Sequence, residues 1–262
     1  MEAIYTALFA LLGLAVGSFL NVCVDRLPGG RSIVAPPSQC DACQRRLSAI
    51  DLIPVLSYLW LRGRCRYCRA PIPQRIVWVE LASGALLAFL YQVYGWTPEL
   101  GITAFWAVVF ILVFVIDLEQ GLILNRVVYP SMVVALLLAG FLDPPWMELE
   151  RWSLSPIVSA AVGGAVGFVM FWLIAVISRG GMGWGDVKLA ALIGVVCGFP
   201  LVLVAVVLGA LLGGLATVVL LITGRRRWAS GQTIPFGPSL AAATMVTILW
   251  GEHISDWYMR LL

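Results

Sequence analysis

Long apolar runs separated by short polar connections dominate the chain. They fall at roughly 3–22, 76–94, 100–117, 127–142, 156–177, 187–199, 201–223 and 236–250. A helix needs about 20 apolar residues to cross a hydrocarbon layer of ~30 Å, so each run is read as a crossing. The stretch from Val187 to Thr223 is too long for one crossing. Cys197-Gly198-Phe199-Pro200 divides it, because proline cannot continue a helix. The sixth span is then short, and a re-entrant segment is its alternative. The first run is too long for the core of a cleaved signal and has no basic residue before it, so it is read as a retained span. The pattern predicts an all-α polytopic membrane protein with about eight transmembrane helices.

Composition supports this. Of 262 residues, 61% are hydrophobic and only 12% charged, with a mean hydropathy of +0.96. Soluble domains average about 45–50% apolar and about 25% charged. A water-facing surface cannot be covered with so few charges, and a disordered chain or a small disulfide scaffold is equally excluded. The net charge of +3 gives no reason to expect nucleic acid as a partner. The cations are instead distributed by side. If the connection after the first span is cytosolic, that side holds the nine arginines of residues 25–75 with Arg126, Arg179, Lys188 and Arg225, Arg226 and Arg227. The other side holds only Arg151 and Arg260. Such asymmetry orients a membrane protein and places both termini outside the cytosol. The ordinary role for these cations is to anchor the topology at lipid phosphates.

Only residues 25–75 form a connection long enough for a domain. About fifty residues bury little core, so a staple is expected. Four of the six cysteines lie there, as Cys40-Asp41-Ala42-Cys43 and Cys65-Arg66-Tyr67-Cys68. Two C-x2-C pairs can complete a tetrahedral Zn²⁺ shell, each pair spanning one edge. Disulfides or free thiols are the alternatives, but cytosolic thiols stay reduced. Four cysteines leave no open position for substrate, so the metal is assigned to folding. Cys23 and Cys197 read as ordinary apolar residues. The chain thus divides into a first helix (1–24), a small zinc-binding cytosolic domain (25–75) and a seven-helix membrane domain (76–262).

Carboxylates within spans are costly and are functional candidates by default. Asp117 closes the third span and Asp186 opens the sixth, so the orientation above puts both at the cytosolic face. Two carboxylates a few Å apart cannot both ionise easily, and such a pair suits hydrolysis: one takes a proton from water, the other polarises a carbonyl. Gly183 and Gly185, with Gly181, leave room beside Asp186 for an extended substrate. The plainer readings make Asp186 a helix N-cap, Asp117 merely interfacial, or the two a proton-transport pair. Glu119 and Asn125 read as interfacial, Glu80 as a partner of Arg75 or a helix cap, and Lys188 as a lipid anchor. His253, the single histidine, falls on the far side and excludes a histidine-based triad at the cytosolic face.

Taken together, these residues resemble the type IV prepilin peptidases. The resemblance is carried by Gly17-Ser18-Phe19-Leu20-Asn21-Val22 with Arg26-Leu27-Pro28, by Ile53-Pro54-Val55-Leu56-Ser57-Tyr58 with Leu61-Arg62-Gly63-Arg64-Cys65, and by Asp117 through Asn125. Gly183-Trp184-Gly185-Asp186-Val187-Lys188-Leu189 and Ile234-Pro235-Phe236-Gly237-Pro238 complete it. It implies an aspartic endopeptidase of the bacterial inner membrane. Asp117 and Asp186 would be its catalytic pair, and it would remove a short basic leader from prepilins or pseudopilins after a glycine. It also implies N-methylation of the new amino terminus with S-adenosylmethionine, through residues it does not name. The chain departs from the family pattern at Asp41, in Leu47–Leu52 and at Asn125, none of which is an aspartate of the pair or a cysteine of the cluster. A basic leader meeting an arginine-rich module requires acids to receive it, and Asp25, Asp51 or Glu119 are the candidates.

Other readings make distinct demands. A related Gly-x-Gly-Asp peptidase with other substrates would need neither methylation nor the cysteine module. A proton-coupled transporter would move charge and cut nothing. A non-catalytic assembly factor would tolerate asparagine at both aspartates.

Overall fold

The computed structural model describes residues 1–142, 144–147, 154–178, 181–223 and 235–260. Asp143, Arg151, Arg179, Arg225, Arg226, Arg227 and Ile234 of the sequence reading lie outside the described residues. Within them the chain is helical, with two isolated β-bridges and no sheet. The helices are α1 (Glu2–Arg26), α2 (Leu56–Trp60), α3 (Arg75–Tyr94), α4 (Pro98–Gln120), α5 (Asn125–Phe141), α6 (Pro156–Ile177), α7 (Trp184–Cys197), α8 (Leu201–Ile222) and α9 (Gly237–Met259). All but the short α2 occupy the eight predicted runs. Five of them, α1, α3, α4, α6 and α8, are long and apolar enough to cross a membrane, and α5 is a shorter apolar helix.

The chain falls into two compact units, Met1–Leu112 and Val113–Leu262. In the first, α1 packs along α3. Lipid tails are as apolar as leucine, so helices in a bilayer associate through close packing of small residues rather than by the hydrophobic effect. Gly13 and Gly17 supply that closeness. A Cβ on Gly17 would sit 2.7 Å from the Glu80 Cα, and one on Gly13 would strike the Ser83 carbonyl. Asn21, one turn on, donates through Nδ2 to the carbonyls of Gly17 and Ile76, both at 3.1 Å. At the other end Phe9 stacks on Tyr91 with centroids 4.8 Å apart, and Trp96 meets Phe9 edge-on.

In the second unit α7 is central. Its 14 residues rise only about 21 Å, short of a full hydrocarbon layer, and the sequence reading of a short sixth span holds. Leu189 through Cys197 are all buried. The break after α7 is pinned to α6: Ser159 receives the Phe199 N–H on its hydroxyl and donates to the Phe199 carbonyl, both at 3.0 Å. Trp146, buried in the connection before α6, donates its indole N–H to the Val196 carbonyl at 2.9 Å. Polar backbone at a helix break is thereby satisfied without water.

The α6–α7 contact is backbone on backbone. Gly163, Gly164 and Gly167 face Ala190, Ala191 and Gly194, and a Cβ on Gly194 would enter the Gly163 carbonyl. No rotamer relieves a clash with main chain. Gly194→Val is therefore expected to cost about 3 kcal/mol, the upper end for overpacking. Gly214→Ala, where nothing lies within 4 Å, should change stability by less than about 0.5 kcal/mol. Thermal unfolding of the two variants in lipid nanodiscs checks the difference.

Candidate active site and metal centre

The sequence of the second unit brings four segments to one end. Asp117 stands one turn before the end of α4, and the connection after it carries Ile123 and leads to Asn125 at the start of α5. Asp186 lies in the first turn of α7. Gly237 begins α9. Asp117 is buried at 4% exposure and its Oδ2 accepts the Gly237 N–H at 2.9 Å. The first N–H groups of a helix lack partners within it and carry its positive end, so a carboxylate there is well placed. A Cβ on residue 237 would stand 2.5 Å from that same oxygen, so only glycine admits the contact. Asp117 and Asp186 lie within electrostatic range of each other. The two aspartates of the sequence reading thus lie in the same unit and feel one another's charge.

Asp186 is not the N-cap of its helix. Gly183 holds that position in extended conformation, and the Asp186 N–H donates to its carbonyl at 3.1 Å. The Asp186 carboxylate reaches back to the Gly183 N–H from the first turn of α7. A Cβ on Gly183 would lie 3.4 Å from Asp186 Oδ2, and one on Gly185 would press to 3.0 Å from the Ile123 Cβ. Both glycines shape the ground around Asp186. Lys188 differs from its expected lipid-anchoring role: its Nζ donates to Asn125 Oδ1 at 3.0 Å and lies 5.8 Å from the Tyr129 ring centre. It ties the start of α7 to the start of α5, two residues from Asp186.

In the first unit the cysteine module forms two knuckles of the same geometry. In each, an isolated bridge pairs the residue before the first cysteine with one seven positions on, Gln39 with Arg46 and Arg64 with Pro71. In each, the residue after the second cysteine takes a left-handed φ, 55° at Gln44 and 61° at Arg69. Its N–H donates to the carbonyl of the first cysteine, at 2.8 Å and 3.0 Å. The four sulfur atoms lie within 4.8 Å of one another, and Cys40 Sγ is 3.8 Å from Cys68 Sγ. A tetrahedral shell with Zn–S of about 2.3 Å has sulfur–sulfur edges of about 3.8 Å. Backbone N–H groups of Cys68 and Tyr67 hold the Cys65 thiol down at about 7. At Cys68 the Ala70 N–H is outweighed by burial and the neighbouring cysteines, which push it up to about 11, so Cys65 is the first of the two to lose its proton. The residues present fit a metal ion.

Polar contacts brace the module. Burial alone would raise the Asp51 carboxyl, but the Ser48 hydroxyl, the Arg66 guanidinium at 2.6 Å and the Ser48 N–H together hold it below its usual range. The Arg45 guanidinium lies 4.4 Å from the centre of the Tyr67 ring, linking the two knuckles. Asp25 pairs with Arg75 at 2.7 Å. Two of the three acids considered for a basic leader, Asp25 and Asp51, are thus already engaged by arginines of this chain. Glu80 is buried, and of its two expected roles it takes the second, bonding to the N-cap residue of α2, Val55. Its Oε2 accepts the Val55 N–H at 2.7 Å, and the Ser18 hydroxyl bonds to it as well.

The clustering of the four cysteines was legible from residue type and spacing, and so was the choice of Asp117 and Asp186 as candidates. Gly237, Ile123, the Lys188–Asn125 bond and the Glu80–Val55 bond were not. Only Gly237 carried a sequence signal, as the start of a helix preceded by proline and phenylalanine.

Comparison with known proteins agrees with this division. Residues 11–94, which hold all four cysteines, match the bacterial peptidase A24 N-terminal domain, and residues 104–218, which hold both aspartates, match the type IV leader peptidase family. A Bacillus subtilis (strain 168) protein named prepilin leader peptidase/N-methyltransferase is 34% identical, over 96% of this chain and 96% of its own length. Proteins of the same name from Aeromonas hydrophila and Burkholderia pseudomallei (strain 1026b) are 30% and 35% identical, over 98% and 92% of this chain and 94% and 84% of their own lengths. No solved structure matches the chain. With relatives aligned from end to end and each half recognised separately, the chain belongs to the type IV leader peptidase family.

Proposed function

We propose that this protein is a membrane aspartic endopeptidase that removes the leader of prepilins or pseudopilins and then N-methylates the exposed amino terminus. The observation that carries the peptidase half is the Gly237 N–H bond to the buried Asp117, with Asp186 of the same unit within electrostatic range. Paired carboxylates hydrolyse a peptide bond when one is ionised and the other protonated. Asp117 faces a donor and the positive end of α9, so it takes the proton of the attacking water. Asp186, with glycines on its approach, donates to the scissile carbonyl oxygen. The tetrahedral adduct then collapses, the C–N bond breaks, and the amine leaves with the proton held by Asp117. The methylation half rests on the names of the relatives and on a first unit separate from the aspartates. When bound, S-adenosylmethionine supplies an electrophilic methyl carbon. The amine freed by cleavage would be the acceptor of that methyl group and would give its proton to solvent.

The site is assigned to the cytosolic face of a bacterial inner membrane, with the termini opposite, on the distribution of Lys and Arg. Cys40, Cys43, Cys65 and Cys68 are assigned to a structural Zn²⁺, on the sulfur spacing. The proton-transport reading draws no support from the Gly237 contact, which fixes one carboxylate in place.

Asp117→Asn and Asp186→Asn should each lower prepilin cleavage by at least about 10³-fold with folding intact. Full cleavage by either removes that residue from the mechanism. Gly237→Ala should lower kcat by about 10²-fold with KM nearly unchanged, because the new methyl displaces the Asp117 carboxylate rather than the peptide. Metal analysis of the purified protein should find one zinc per chain, and Cys65→Ser should lose it. Stoichiometric zinc retained by that variant would refute the four-cysteine site.

A further inference from the structure

The surface of the cysteine module is inside out between Ile50 and Trp60. Ile50, Leu52, Ile53, Leu56, Leu59 and Trp60 are all exposed, Leu56 and Leu59 at 62% and Trp60 at 80%. Leu56, Leu59 and Trp60 stand at i, i+3 and i+4 and so share one face of α2. The other face carries Ser57 and Tyr58, and these are half-buried. A water-facing helix shows the opposite pattern. Contiguous apolar patches on water-facing surfaces stay small unless something covers them.

Two contacts fix the orientation and the level of α2. A Cβ on Gly63 would lie 2.8 Å from the Tyr58 hydroxyl, so the missing side chain at 63 lets the tyrosine ring turn inward. The Val55 N–H, just before α2, is held by Glu80 Oε2 at 2.7 Å. Glu80 lies about 8 Å along α3 from Arg75, and its side chain tilts back toward the start of that helix. Both α3 and α1, whose Ser18 also bonds to Glu80, are long and apolar enough to cross a membrane. The start of α2 is therefore level with the first turn of α3. Trp78, 67% exposed in that turn, marks the level where tryptophan gathers at membrane–water boundaries. Asp51 is the one charged residue from Ala49 to Leu61, and it is taken up by Arg66 with its side chain 3% exposed. Just after α2, Arg62 and Arg64 are exposed.

We propose that residues 50–64 form a lipid contact in which Leu56, Leu59 and Trp60 enter the acyl-chain boundary of the bilayer that α1 and α3 cross, and Arg62 and Arg64 meet anionic lipid phosphates. The order along the chain follows the order of layers at that boundary. Apolar residues come first, then a tryptophan, then arginines whose stems lie along hydrocarbon while their heads reach phosphate. The occupant is lipid because the face begins beside helices that lipid already surrounds, and its one acid is internally paired while its flanking cations are exposed. The inference uses neither the aspartates nor a metal, so it stands apart from the proposed chemistry. The module is thereby seated on the bilayer instead of being held off it by its two connections.

The test places a photoreactive benzophenone side chain at Leu56, at Trp60 or at Gln44, which is exposed in the turn of the first knuckle. Each full-length protein is held in nanodiscs of equal phosphatidylglycerol and phosphatidylcholine, irradiated, and its adducts are read by mass spectrometry. Positions 56 and 60 should yield lipid adducts at least about tenfold over position 44. Phosphatidylglycerol should exceed phosphatidylcholine in them by about fivefold, and Arg62→Gln with Arg64→Gln should remove that preference while the adducts remain. Each protein is required to keep the wild-type elution profile and thermal midpoint, and if the change at Trp60 does not fold, position 56 decides alone. Folded proteins without lipid adducts at 56 and 60, or with as many at 44, overturn the contact. Adducts to a second copy of the chain overturn it too and make the face an interface between copies. Equal use of the two lipids by the native arginines overturns their part in it.

Discussion

Glycine at helix contacts is the constraint on which the rest of this structure depends. In a bilayer, apolar side chains gain nothing by leaving lipid for protein, so helices hold together only where backbones come close enough for dispersion and dipoles to act. Gly13 and Gly17 do this for α1 on α3, and Gly163, Gly164, Gly167 and Gly194 for α6 on α7. Everything chemical follows from those two contacts. The first brings Asn21 and Ser18 of α1 to Ile76 and Glu80 of α3. The second fixes α7, and with it Asp186, inside its unit.

The site in the second unit is assembled from helix ends rather than from helix faces. The last turn of α4, the first turns of α7 and α9 and the connection into α5 each give one element. Helix ends are where backbone N–H groups are unspent. The bond from Gly237 to Asp117 uses one such group, the unspent amide that a buried carboxylate requires. A site built this way is sensitive to how far each helix extends, and the short α7, held at both its ends, supplies a fixed reference for the others.

Much of this was legible in the sequence, for identifiable reasons. Span positions are set by local composition, and all eight runs became helices. The cysteine cluster is legible because knuckle spacing is a local property. The aspartates stand out because charge within an apolar run is rare. What was hidden is long-range and between unlike partners. Nothing in the periodicity of α7 links Lys188 to Asn125, 63 residues away. Glu80 was expected to find Arg75 or cap a helix, and the helix end it meets is a distant one, the Val55 amide before α2, 25 residues upstream. The reason is steric. Val55 has a φ of 61°, which a β-branched residue adopts only when its surroundings impose it. Gly237 stood in a quoted motif but without a role, because its contribution is a backbone amide and a missing side chain.

The cysteine module has a feature whose consequence is thermodynamic. Between residues 27 and 74 the only residue buried as a whole is Cys65, so the module has no apolar core of its own. Its order must come from the knuckles, the Asp51–Arg66 pair and whatever joins the sulfur atoms. A cross-link between the knuckles closes a loop of roughly twenty residues in the unfolded chain, removing entropy that no apolar burial here could offset. With a metal as that cross-link, the folded fraction of the module becomes a function of free metal activity, by ordinary mass action. The glycine-packed helices carry no such dependence. One polypeptide would then contain a part whose existence is set by lipid and sequence and a part whose existence is set by the metal supply of the cell.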